Sequence, residues 1–563
     1  MMGWSVPVNI IRYLLFFLLV LFRTGQAHSE SHKVAIASAN SLATNAGFEI
    51  IEKGGNVFDA AVAISAALAV VEPSGSGLGG GGYWLLHRQK DNLDTVIDGR
   101  EKAPLAADSK MYLDKGGKVI EKISLDGALA SAIPGMPAGL VYLSEKYGKL
   151  PLIETLTPAI RYAKNGFSIS QRYLKLLKFR EEVIKKNFQA AKIFLPDGAL
   201  PKLYSILRQP DLAKTLTLIS RSGRDGFYNG TIADKLVDSV KNAGGIWTKE
   251  DLNSYQIIER KPVTGTYKGI KITSAPPSSA GGIVLIEALN ILSGYDLSIL
   301  DEVSRKHIII EALKRAYHDR SLYLGDPDFI SIPVNRLLND DYAAGLRSSI
   351  RLDKALPSHQ LSGITEYQSE GINTSHFSII DDEGNRVSAT LSINFPYGSG
   401  FVATGTGVLL NNEMDDFDSL PGAVNGYGLV GGVANSIAPG KRMLSSMTPT
   451  FLESETNIAV IGTPGGSRIT TMILLAALDF AKGNGPQSWT QVKRFHHQFI
   501  PDVIEYENGA ITDAEAKSLA LMGHQLKQVK YSYGDMQAVL LNKVTKVLSA
   551  ASDHRGEGRA IVR

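Results

Sequence analysis

The 563-residue chain contains no cysteine. Disulfide bonds, cysteine nucleophiles, zinc–thiolate sites and iron–sulfur clusters are therefore excluded. The chain also lacks a long basic run, because its 59 basic and 56 acidic residues are interspersed and leave a net charge of only +3. Nucleic-acid-binding arms carry concentrated positive charge, so we expect no nucleic-acid partner.

Two common catalytic signatures are also missing. The sequence contains neither a G-x-x-x-x-G-K-[ST] phosphate loop nor the G-x-S-x-G elbow of α/β-hydrolases. The run at 75–82 matches G-x-G-x-x-G, but it follows an alanine-rich helical pattern instead of the strand that a dinucleotide site needs. We interpret this run as backbone packed closely near the core.

The histidines give neither a metal site nor a dyad. Adjacent His496 and His497 point in divergent directions, and no third ligand follows at a telling spacing. His376 beside Ser375 cannot form a Ser–His dyad within a strand, because neighbouring side chains point to opposite faces. We therefore expect no metal and no cofactor.

The N-terminus has the pattern of a secretory signal. Arg12 precedes a short apolar run at 13–22, and the small residues Gly25 and Ala27 follow it. This pattern predicts a signal peptide over residues 1–27. The alternative is an uncleaved anchor formed by residues 8–22. Both readings predict an exported protein, periplasmic or secreted, or one anchored facing outward from the cytoplasm.

The rest of the chain alternates helical and strand patterns, which indicates a mixed α/β protein with layered sheets and helices. No repeat of 20–50 residues occurs. Residues 40–71 are predicted to be helical, with Asn40 as the N-cap. The segment 340–372 is polar and has no clear period, so we predict an exposed connection or a processing site there.

A hairpin is predicted at 374–394. A strand pattern at 375–380 is followed by a turn cluster at 381–385. The next strand then alternates between apolar residues (Val387, Ala389, Leu391, Ile393) and polar ones (Ser388, Thr390, Ser392, Asn394). A turn centred on Glu383 would pair Ile380 with Arg386 and place Thr374 opposite Ser392. These residues alone favour a surface hairpin with a polar outer face over a functional hairpin.

A glycine turn, Gly462-Thr-Pro-Gly-Gly-Ser-Arg468, follows an apolar strand and opens a helix. Successive backbone N–H groups in such a turn can bind an anion or form an oxyanion hole. The same glycines also suit a tight strand-to-helix connection. The motif alone does not decide between these two interpretations.

Short motifs occur in a characteristic order: Asp98-Gly-Arg-Glu-Lys-Ala-Pro104, Ile133-Pro-Gly135, Asp319-Arg320, Gly325-Asp-Pro327, Asn373-Thr-Ser-His376, Leu410-Asn-Asn-Glu-Met-Asp-Asp-Phe417, Leu444-Ser-Ser-Met447, Gly462–Arg468, Arg494-Phe-His-His-Gln498 and Ser552-Asp-His-Arg555. In this order and spacing they resemble the γ-glutamyltransferase (γ-glutamyl transpeptidase) family over nearly all of the mature length.

The resemblance implies an α+β fold, the four-layer αββα sandwich of N-terminal-nucleophile (Ntn) hydrolases. It also implies a single precursor that cuts itself between Asn373 and Thr374. The products would be a large subunit, residues 28–373, and a small catalytic subunit, residues 374–563, which remain intertwined as a heterodimer. The cut frees the α-amino group of Thr374, which can act as base for its own hydroxyl, since its reference pKa is about 7.7–8.0.

The resemblance also assigns roles to site residues. Thr374 is the nucleophile, Ser392 is the catalytic hydroxyl beside it, and the N–H groups of Gly465 and Gly466 form the oxyanion hole. The substrate-binding residues fall into three groups: Arg100, Ser445 and Ser446 for the α-carboxylate; Asn394, Glu413 and Asp416 for the α-ammonium; Tyr427 at the tip of a lid loop. Many relatives carry threonine at position 392, but serine keeps the hydroxyl.

The expected donors are small γ-glutamyl compounds such as glutathione, and the expected acceptors are water, amino acids and peptides. The lid segment 421–428 favours such small donors over polymers. One alternative is a glutaryl or cephalosporin acylase of the same family, but Glu413 and Asp416 would then lack a compensating cation. The other is an inactive secreted binding protein, which should have lost Thr374, Arg100 or the pair Gly465 and Gly466; all are present.

Overall fold

Helices and strands alternate through the part of the chain that the structure, a computed structural model, describes: residues 33–361, 374–418, 425–429 and 431–563. The strands are β1 (Val34–Ser38), β2 (Gly81–Arg88), β3 (Leu93–Gly99), β4 (Phe167–Ser168), β5 (Ile206–Leu207), β6 (Ile258–Arg260), β7 (Val263–Tyr267), β8 (Ile270–Ser274), β9 (Ser375–Asp381), β10 (Arg386–Ser392), β11 (Thr450–Glu453), β12 (Asn457–Gly462), β13 (Phe495–His496), β14 (Ile504–Tyr506), β15 (Leu526–Gln528), β16 (Gln537–Asn542), β17 (Leu548–Ser552) and β18 (Arg559–Val562).

The α-helices of the same ranges are α1 (Ser41–Glu52), α2 (Val57–Val71), α3 (Met136–Tyr147), α4 (Leu152–Asn165), α5 (Gln171–Lys185), α6 (Phe188–Phe194), α7 (Pro210–Ser222), α8 (Asp225–Tyr228), α9 (Gly230–Asn242), α10 (Lys249–Asn253), α11 (Gly281–Leu292), α12 (Glu302–Tyr323), α13 (Val334–Leu337), α14 (Asp340–Ser348), α15 (Ile469–Phe480), α16 (Pro486–Gln491) and α17 (Asp513–Leu521). Short 3₁₀ turns at Glu413–Asp416 and Gly466–Arg468 shape the loops of the candidate site.

Two antiparallel sheets lie face to face at the centre. The first has the strand order β18-β1-β9-β10-β2-β3-β6, and the second has the order β17-β16-β12-β11-β8-β7. Apolar side chains from both sheets, among them Leu85 of the first and Val460 of the second, share one buried cluster. The inner face of each sheet is therefore removed from water, which is the dominant favourable contribution to folding.

Helices cover the outer face of each sheet. All fifteen residues of α2 are buried, and this helix packs on β9 and β10 of the first sheet. Its many alanines allow a close approach to the strands. On the other side, α11 packs on β7 and β8, and α15 packs on β12. The layers follow the order helix, sheet, sheet, helix, as the resemblance implies.

The predicted hairpin is confirmed in its register. Strands β9 and β10 pair antiparallel with Ile380 opposite Arg386 and Ser375 opposite Leu391. The same register places Thr374, the residue before β9, opposite Ser392. Asp381 closes the turn, because its carboxylate accepts hydrogen bonds from the backbone N–H groups of Gly384 and Asn385.

The surface-hairpin interpretation is wrong. Every residue of β10 is buried. Its two edges pair with β9 and β2, and its two faces are covered by α2 and by β12 of the second sheet. The polar face lies between the two sheets, where Ser388 donates a hydrogen bond to the carbonyl of Ile461 and Thr390 bonds to His376. Alternation in the sequence shows that one face of a strand is polar, but not whether that face is exposed to solvent. Here the second sheet covers the polar face and supplies hydrogen-bond partners for it.

The predicted helix at 40–71 is divided in two. Asn40 caps α1 as expected, since its side chain accepts a hydrogen bond from the N–H of Leu42. Gly54 then adopts a positive φ of 88°, which ends the helix, and Asn56 caps α2 together with Asp59. The glycine and the second capping residue together explain the break.

The prediction for 340–372 is wrong in its first part. Helix α14 occupies Asp340–Ser348, and Asn339 caps it by accepting from the N–H groups of Asp341 and Tyr342. Only Ala343 of this helix is buried, so the apolar periodicity that marks a helix is almost absent. Residues 362–372 lie outside the described residues.

The glycine run is close-packed, as predicted. A Cβ atom at Gly79 would lie 2.1 Å from the carbonyl oxygen of Leu409, and one at Gly80 would lie 2.0 Å from that of Ser392. These contacts bring the start of β2 against the end of β10.

The predicted signal peptide or anchor lies outside the described residues. Within the part of the chain that the structure describes, no helix is both long and apolar enough to cross a membrane.

We expect Gly80→Ala to lower thermal stability, because the added Cβ atom has to displace the backbone of Ser392. Overpacking of this kind costs about 1–3 kcal/mol. Gly345→Ala is the control, since a Cβ atom there meets no atom within 4 Å and alanine favours a helix by about 0.5–1 kcal/mol. Thermal melts compare the two variants with wild type. Equal melting temperatures for all three would contradict the close packing at Gly80.

Candidate active site

Thr374 lies at the beginning of β9, where the two sheets meet. Its side chain is almost completely buried, with 4% exposed, and its Oγ1 accepts a hydrogen bond of 3.2 Å from the N–H of Gly465. Gly465 belongs to the loop after β12, so this bond joins the first sheet to the second. This bond holds the hydroxyl of Thr374 beside the loop after β12. A substrate carbonyl attacked by the hydroxyl could place its oxygen against the backbone N–H groups of that loop.

The loop that contacts Thr374 requires both of its glycines. Gly465 has a φ of +145° and Gly466 a φ of +58°, and both values disfavour residues with side chains. A Cβ atom at Gly466 would also lie 2.4 Å from the ring of Tyr427. The loop leads directly into α15, so its backbone N–H groups precede a helix N-terminus, where negative charge is favoured.

Ser392 and Asn394 form a second wall beside Thr374. The Oγ of Ser392 accepts the N–H of Asn394 at 2.7 Å, and Asn394 has a φ of +70°. The side-chain amide of Asn394 donates to the carbonyl of Asn412. The hydroxyl of Tyr427 donates to the carbonyl of Asn394 at 3.1 Å. The end of β10 is thereby tied to the lid residue.

Arg100 is the centre of a buried ion cluster. Its Nη1 donates to Glu413 at 2.5 Å, its Nη2 donates to Asp416, and its Nε donates to the carbonyl of Met443. A further contact of 3.4 Å joins Nη1 to Glu101. Because these groups occupy nearly all of its N–H donors, a bidentate grip on a substrate carboxylate is not available in this arrangement. The role of Arg100 stays a prediction.

The cluster has more carboxylates than cations. Oε1 of Glu413 is buried and has no hydrogen-bond partner among the described residues. Burial raises the pKa of Asp416 well above its usual range, and Arg100 only partly opposes this effect. Burial and the nearby Glu413 raise the pKa of Glu101 as well. A bound cation such as an ammonium group would compensate this excess of negative charge.

Most of the predicted site residues line one cavity. Those in its lining are Thr374, Ser392, Gly466, Arg100, Asn394, Glu413, Asp416, Ser445, Ser446 and Tyr427. Gly465 takes part through its N–H. Ser445 Oγ accepts the N–H of Met447, which shapes the loop on the wall opposite β10.

Comparisons with known proteins identify the family. The family model for gamma-glutamyltranspeptidase matches residues 43–563. The chain belongs to the γ-glutamyltranspeptidase family. It is 44% identical over 496 residues to the glutathione hydrolase proenzyme of Pseudomonas sp. (strain A14), covering 87% of this chain and 86% of the relative. It is 40% identical over 529 residues to the glutathione hydrolase proenzyme of Escherichia coli (strain K12), covering 92% and 90%.

The fold prediction is confirmed as well. The crystal structure of cephalosporin acylase from Bacillus halodurans superimposes with a TM-score of 0.82 at 27% identity, over 94% of this chain and 96% of that one. The predicted Ntn-hydrolase fold and the γ-glutamyl transpeptidase function are thereby confirmed. Since an acylase shares the fold, the geometry of the cavity has to distinguish the donors.

In this member of the family, Tyr427 is held from two sides. Its ring lies 5.0 Å from that of Phe395. The side chain of Gln498 donates to the carbonyl of Tyr427 and accepts from the hydroxyl of Ser467, in the loop after Gly466. Gln498 therefore connects the lid to the loop that contacts Thr374. Residues 421–424 of the predicted lid lie outside the described residues.

Sequence reasoning gave no role to several residues of the cavity. Besides the predicted residues, the lining contains Arg320, Leu429, Leu444, Met447, Ser467 and Ile469. Arg320 and Gln498 occur in two of the motifs that carry the family resemblance, 319–320 and 494–498. Their presence in these motifs could have marked Arg320 and Gln498 as site residues, but the motifs do not show what the two side chains contact.

One group of residues has the composition of a metal site: His307, Glu311 and His524. The Nε2 of His307 bonds to the carbonyl of Arg351 and must be protonated, because a carbonyl only accepts, so His524 donates to Nδ1 of His307. Glu311 is neutralised by Lys314 and Arg315. The atoms that could bind a metal are therefore already engaged in hydrogen bonds or ion pairs. The three residues do not line the cavity of Thr374.

The pair at 496–497 diverges as predicted. His496 bonds to Thr471 and Gln498, whereas His497 bonds to Asp502. His376 bonds to Thr390 and not to its neighbour Ser375.

The buried carboxylate of Asp415 predicts that KM depends on pH. Its carboxylate accepts from the hydroxyl of Ser124 and from the N–H of Gly426, beside Tyr427. Burial raises the pKa of Asp415 to about 6, because desolvation outweighs these hydrogen bonds. As the pH falls through about 6, protonation removes the charge from the bond to Gly426. The lid should loosen, and KM for a γ-glutamyl anilide should rise.

The control is Asp415→Asn, whose amide keeps an acceptor for Gly426 and gives a donor to Ser124. Its KM should not show the rise below pH 6. KM is measured from pH 5 to pH 8 for both proteins. An equal rise in the asparagine variant would show that another group is responsible.

Proposed function

We propose that this chain hydrolyses glutathione and related small γ-glutamyl amides, and transfers their γ-glutamyl group to amino acids or peptides, through an ester on Thr374. The observation that carries the proposal is a pairing within one cavity. The buried hydroxyl of Thr374, bonded to the N–H of Gly465, lies at one wall. At another lies a buried carboxylate oxygen of Glu413 that has no hydrogen-bond partner among the described residues. The first suits acyl transfer, and the second suits a donor with an ammonium group.

Maturation would precede turnover. Thr374 Oγ1 attacks the carbonyl carbon of Asn373, the C–N bond breaks, and an ester forms that water opens. The products are residues 28–373 and 374–563, which stay together as one catalytic unit. The relatives named above are called proenzymes, which supports a processed heterodimer. Asn373 itself lies outside the described residues.

Turnover repeats the chemistry on substrate. The freed α-amino group of Thr374 takes the hydroxyl proton as Oγ1 bonds to the γ-carbonyl carbon. The N–H groups of Gly465 and Gly466 receive the developing oxyanion. The amide C–N bond then breaks, the proton passes to the leaving amine, and the γ-glutamyl ester remains. Water or an acceptor amine attacks the ester and restores the hydroxyl.

Substrate charge explains the electrostatics of the cavity. The α-ammonium of the donor would bind Oε1 of Glu413 and the carboxylate of Asp416, supported by Asn394. A buried polar atom without a partner costs about 1–3 kcal/mol, which a bound ammonium would remove. A glutaryl donor lacks this group and would leave Glu413 uncompensated, so the geometry favours γ-glutamyl donors over the acylase alternative.

Export to the periplasm or the medium is part of the proposal. It is supported by the signal pattern at 1–27 and fits a chain without cysteine, which needs no reducing compartment.

Thr374→Ala should remain a single chain and show no turnover, because both proposed reactions use the same hydroxyl. Ser375→Ala is the matched control, since the neighbouring hydroxyl bonds to Glu72 and points away from the cavity. A denaturing gel and a chromogenic γ-glutamyl anilide assay check both variants. Self-cleavage or turnover by Thr374→Ala, or a wild type that stays uncut, would exclude this nucleophile.

Glu413→Ala should lower kcat/KM for a γ-glutamyl anilide by about tenfold or more, because it removes a charged partner of the ammonium. It should affect a glutaryl anilide much less. Glu287→Ala is the control, because Glu287 is also a completely buried carboxyl but does not line the cavity. If Glu413→Ala lowers kcat/KM equally for the γ-glutamyl and the glutaryl anilide, Glu413 does not recognise the ammonium.

A further inference from the structure

The helices α5 and α6 lie in a segment, residues 171–208, whose charge differs from that of the chain as a whole. The segment contains nine basic and three acidic residues, whereas the complete chain has a net charge of only +3. Most of these basic residues are separated by two or more others, so they form no continuous run in the sequence. A helix gathers them instead, because residues three or four apart lie on the same face.

The two helices form a hairpin that packs on the core with one side. Phe194, at the end of α6, and Tyr173, in the first turn of α5, both contact the ring of Tyr397, at centroid distances of 5.4 and 5.8 Å. Helix α6 therefore runs back along α5. The buried side chain of Arg180 fixes α5 further, since it donates to Asp126 at 2.8 Å. The other side of the hairpin is thereby held in place as a surface that faces solvent.

This outward side combines phenylalanine with lysine. Phe179 is 67% exposed and Phe188 is 75% exposed, which makes them the two most exposed phenylalanines among the described residues. The lysines beside them are exposed as well. We call these residues the lysine–phenylalanine surface: Lys175, Lys178, Phe179, Lys186, Phe188 and Lys192.

The charge of this surface is not compensated within the fold. In the part of the chain that the structure describes, its four lysines form no ion pair and no side-chain hydrogen bond. The neighbouring carboxylates of Glu181 and Glu182 both pair with Lys185 instead, at 2.8 Å each. An exposed apolar group surrounded by polar residues is typical of a site that contacts another protein or a membrane.

We propose that the lysine–phenylalanine surface binds a membrane that contains anionic lipids, and that it holds the folded protein at the bilayer surface. The ammonium groups of the lysines are attracted by lipid phosphates and can stay at the level of the headgroups, because their side chains are long. The phenyl rings can then enter the boundary between headgroups and acyl chains. This binding does not depend on the proposed function.

Two features favour a lipid surface over a macromolecular partner. Protein interfaces are depleted in lysine and enriched in arginine, whereas all four cations of this surface are lysines. A polyanion such as an acidic polysaccharide would pair with the lysines but offers no apolar layer for Phe179 and Phe188. A bilayer with anionic headgroups satisfies both kinds of side chain.

Co-sedimentation with vesicles tests the proposal on the purified protein. Vesicles of equal parts phosphatidylglycerol and phosphatidylcholine are compared with vesicles of phosphatidylcholine alone. The protein should sediment with the anionic vesicles and remain in the supernatant with the neutral ones. Binding should weaken between about 0.1 M and about 1 M salt, because the Debye length falls from about 10 Å to about 3 Å.

Two double variants separate the charges from the rings. Lys175→Gln with Lys178→Gln should weaken binding to the anionic vesicles by about tenfold to thirtyfold, because each lysine near such a surface contributes to the attraction. Phe179→Ser with Phe188→Ser should weaken it by about tenfold or more, because less apolar area leaves water on binding. All four positions are exposed, so the melting temperature should equal that of wild type.

The matched control is the double variant Lys482→Gln with Lys493→Gln. These two lysines are also exposed, but they follow α15 and α16, in the helical layer of the second sheet. The control variant should bind the anionic vesicles as wild type does. An equal loss in the control variant would show that overall charge, and not the lysine–phenylalanine surface, attracts the protein.

Three further results would overturn the proposal. Equal binding to neutral and anionic vesicles would assign membrane association to the apolar residues 8–22. Binding to heparin, together with vesicle binding that the phenylalanine variant leaves unchanged, would make the surface a site for polyanions. A wild type that binds no vesicles but changes its oligomeric state in the phenylalanine variant would make this face a contact between copies of the chain.

Discussion

The hydrogen bond from the N–H of Gly465 to Oγ1 of Thr374 depends on how the two sheets pack. Thr374 immediately precedes β9 of the first sheet, and Gly465 follows β12 of the second. Neither sheet alone can hold Thr374, the proposed nucleophile, beside the loop that would receive the oxyanion. The buried apolar cluster between the sheets is therefore a functional requirement as well as a source of stability. Cores pack at nearly crystalline density, which keeps such a distance constant.

Around this contact lie buried polar atoms that have no hydrogen-bond partner among the described residues. They include Oε1 of Glu413 and Nε of Arg320. Both residues line the same cavity. In solvent-exposed loops these groups would rearrange and pair with each other.

Much of this arrangement could be predicted from the sequence. The turn cluster at 381–385 sets the register of β9 and β10, which is why counting alone placed Ser392 opposite Thr374. The resemblance gave the layers and the membership of the cavity. The sequence could not show that the polar face of β10 is buried, because the residues that cover it, such as Ile461, are distant in the chain. Helix α14 was missed because it buries little apolar surface.

Arg320 shows why the remaining part of the site required the structure. A guanidinium at 320 and one at 315 lie in the same helical pattern, and both are buried. What separates them is that Glu311 and Ser349 bond to Arg315, while Arg320 meets a cavity. That difference is set by the loops at 413–418 and 444–447, which are far away in sequence. A buried side chain that meets a cavity can be told from one that pairs within the fold only when its partners are known.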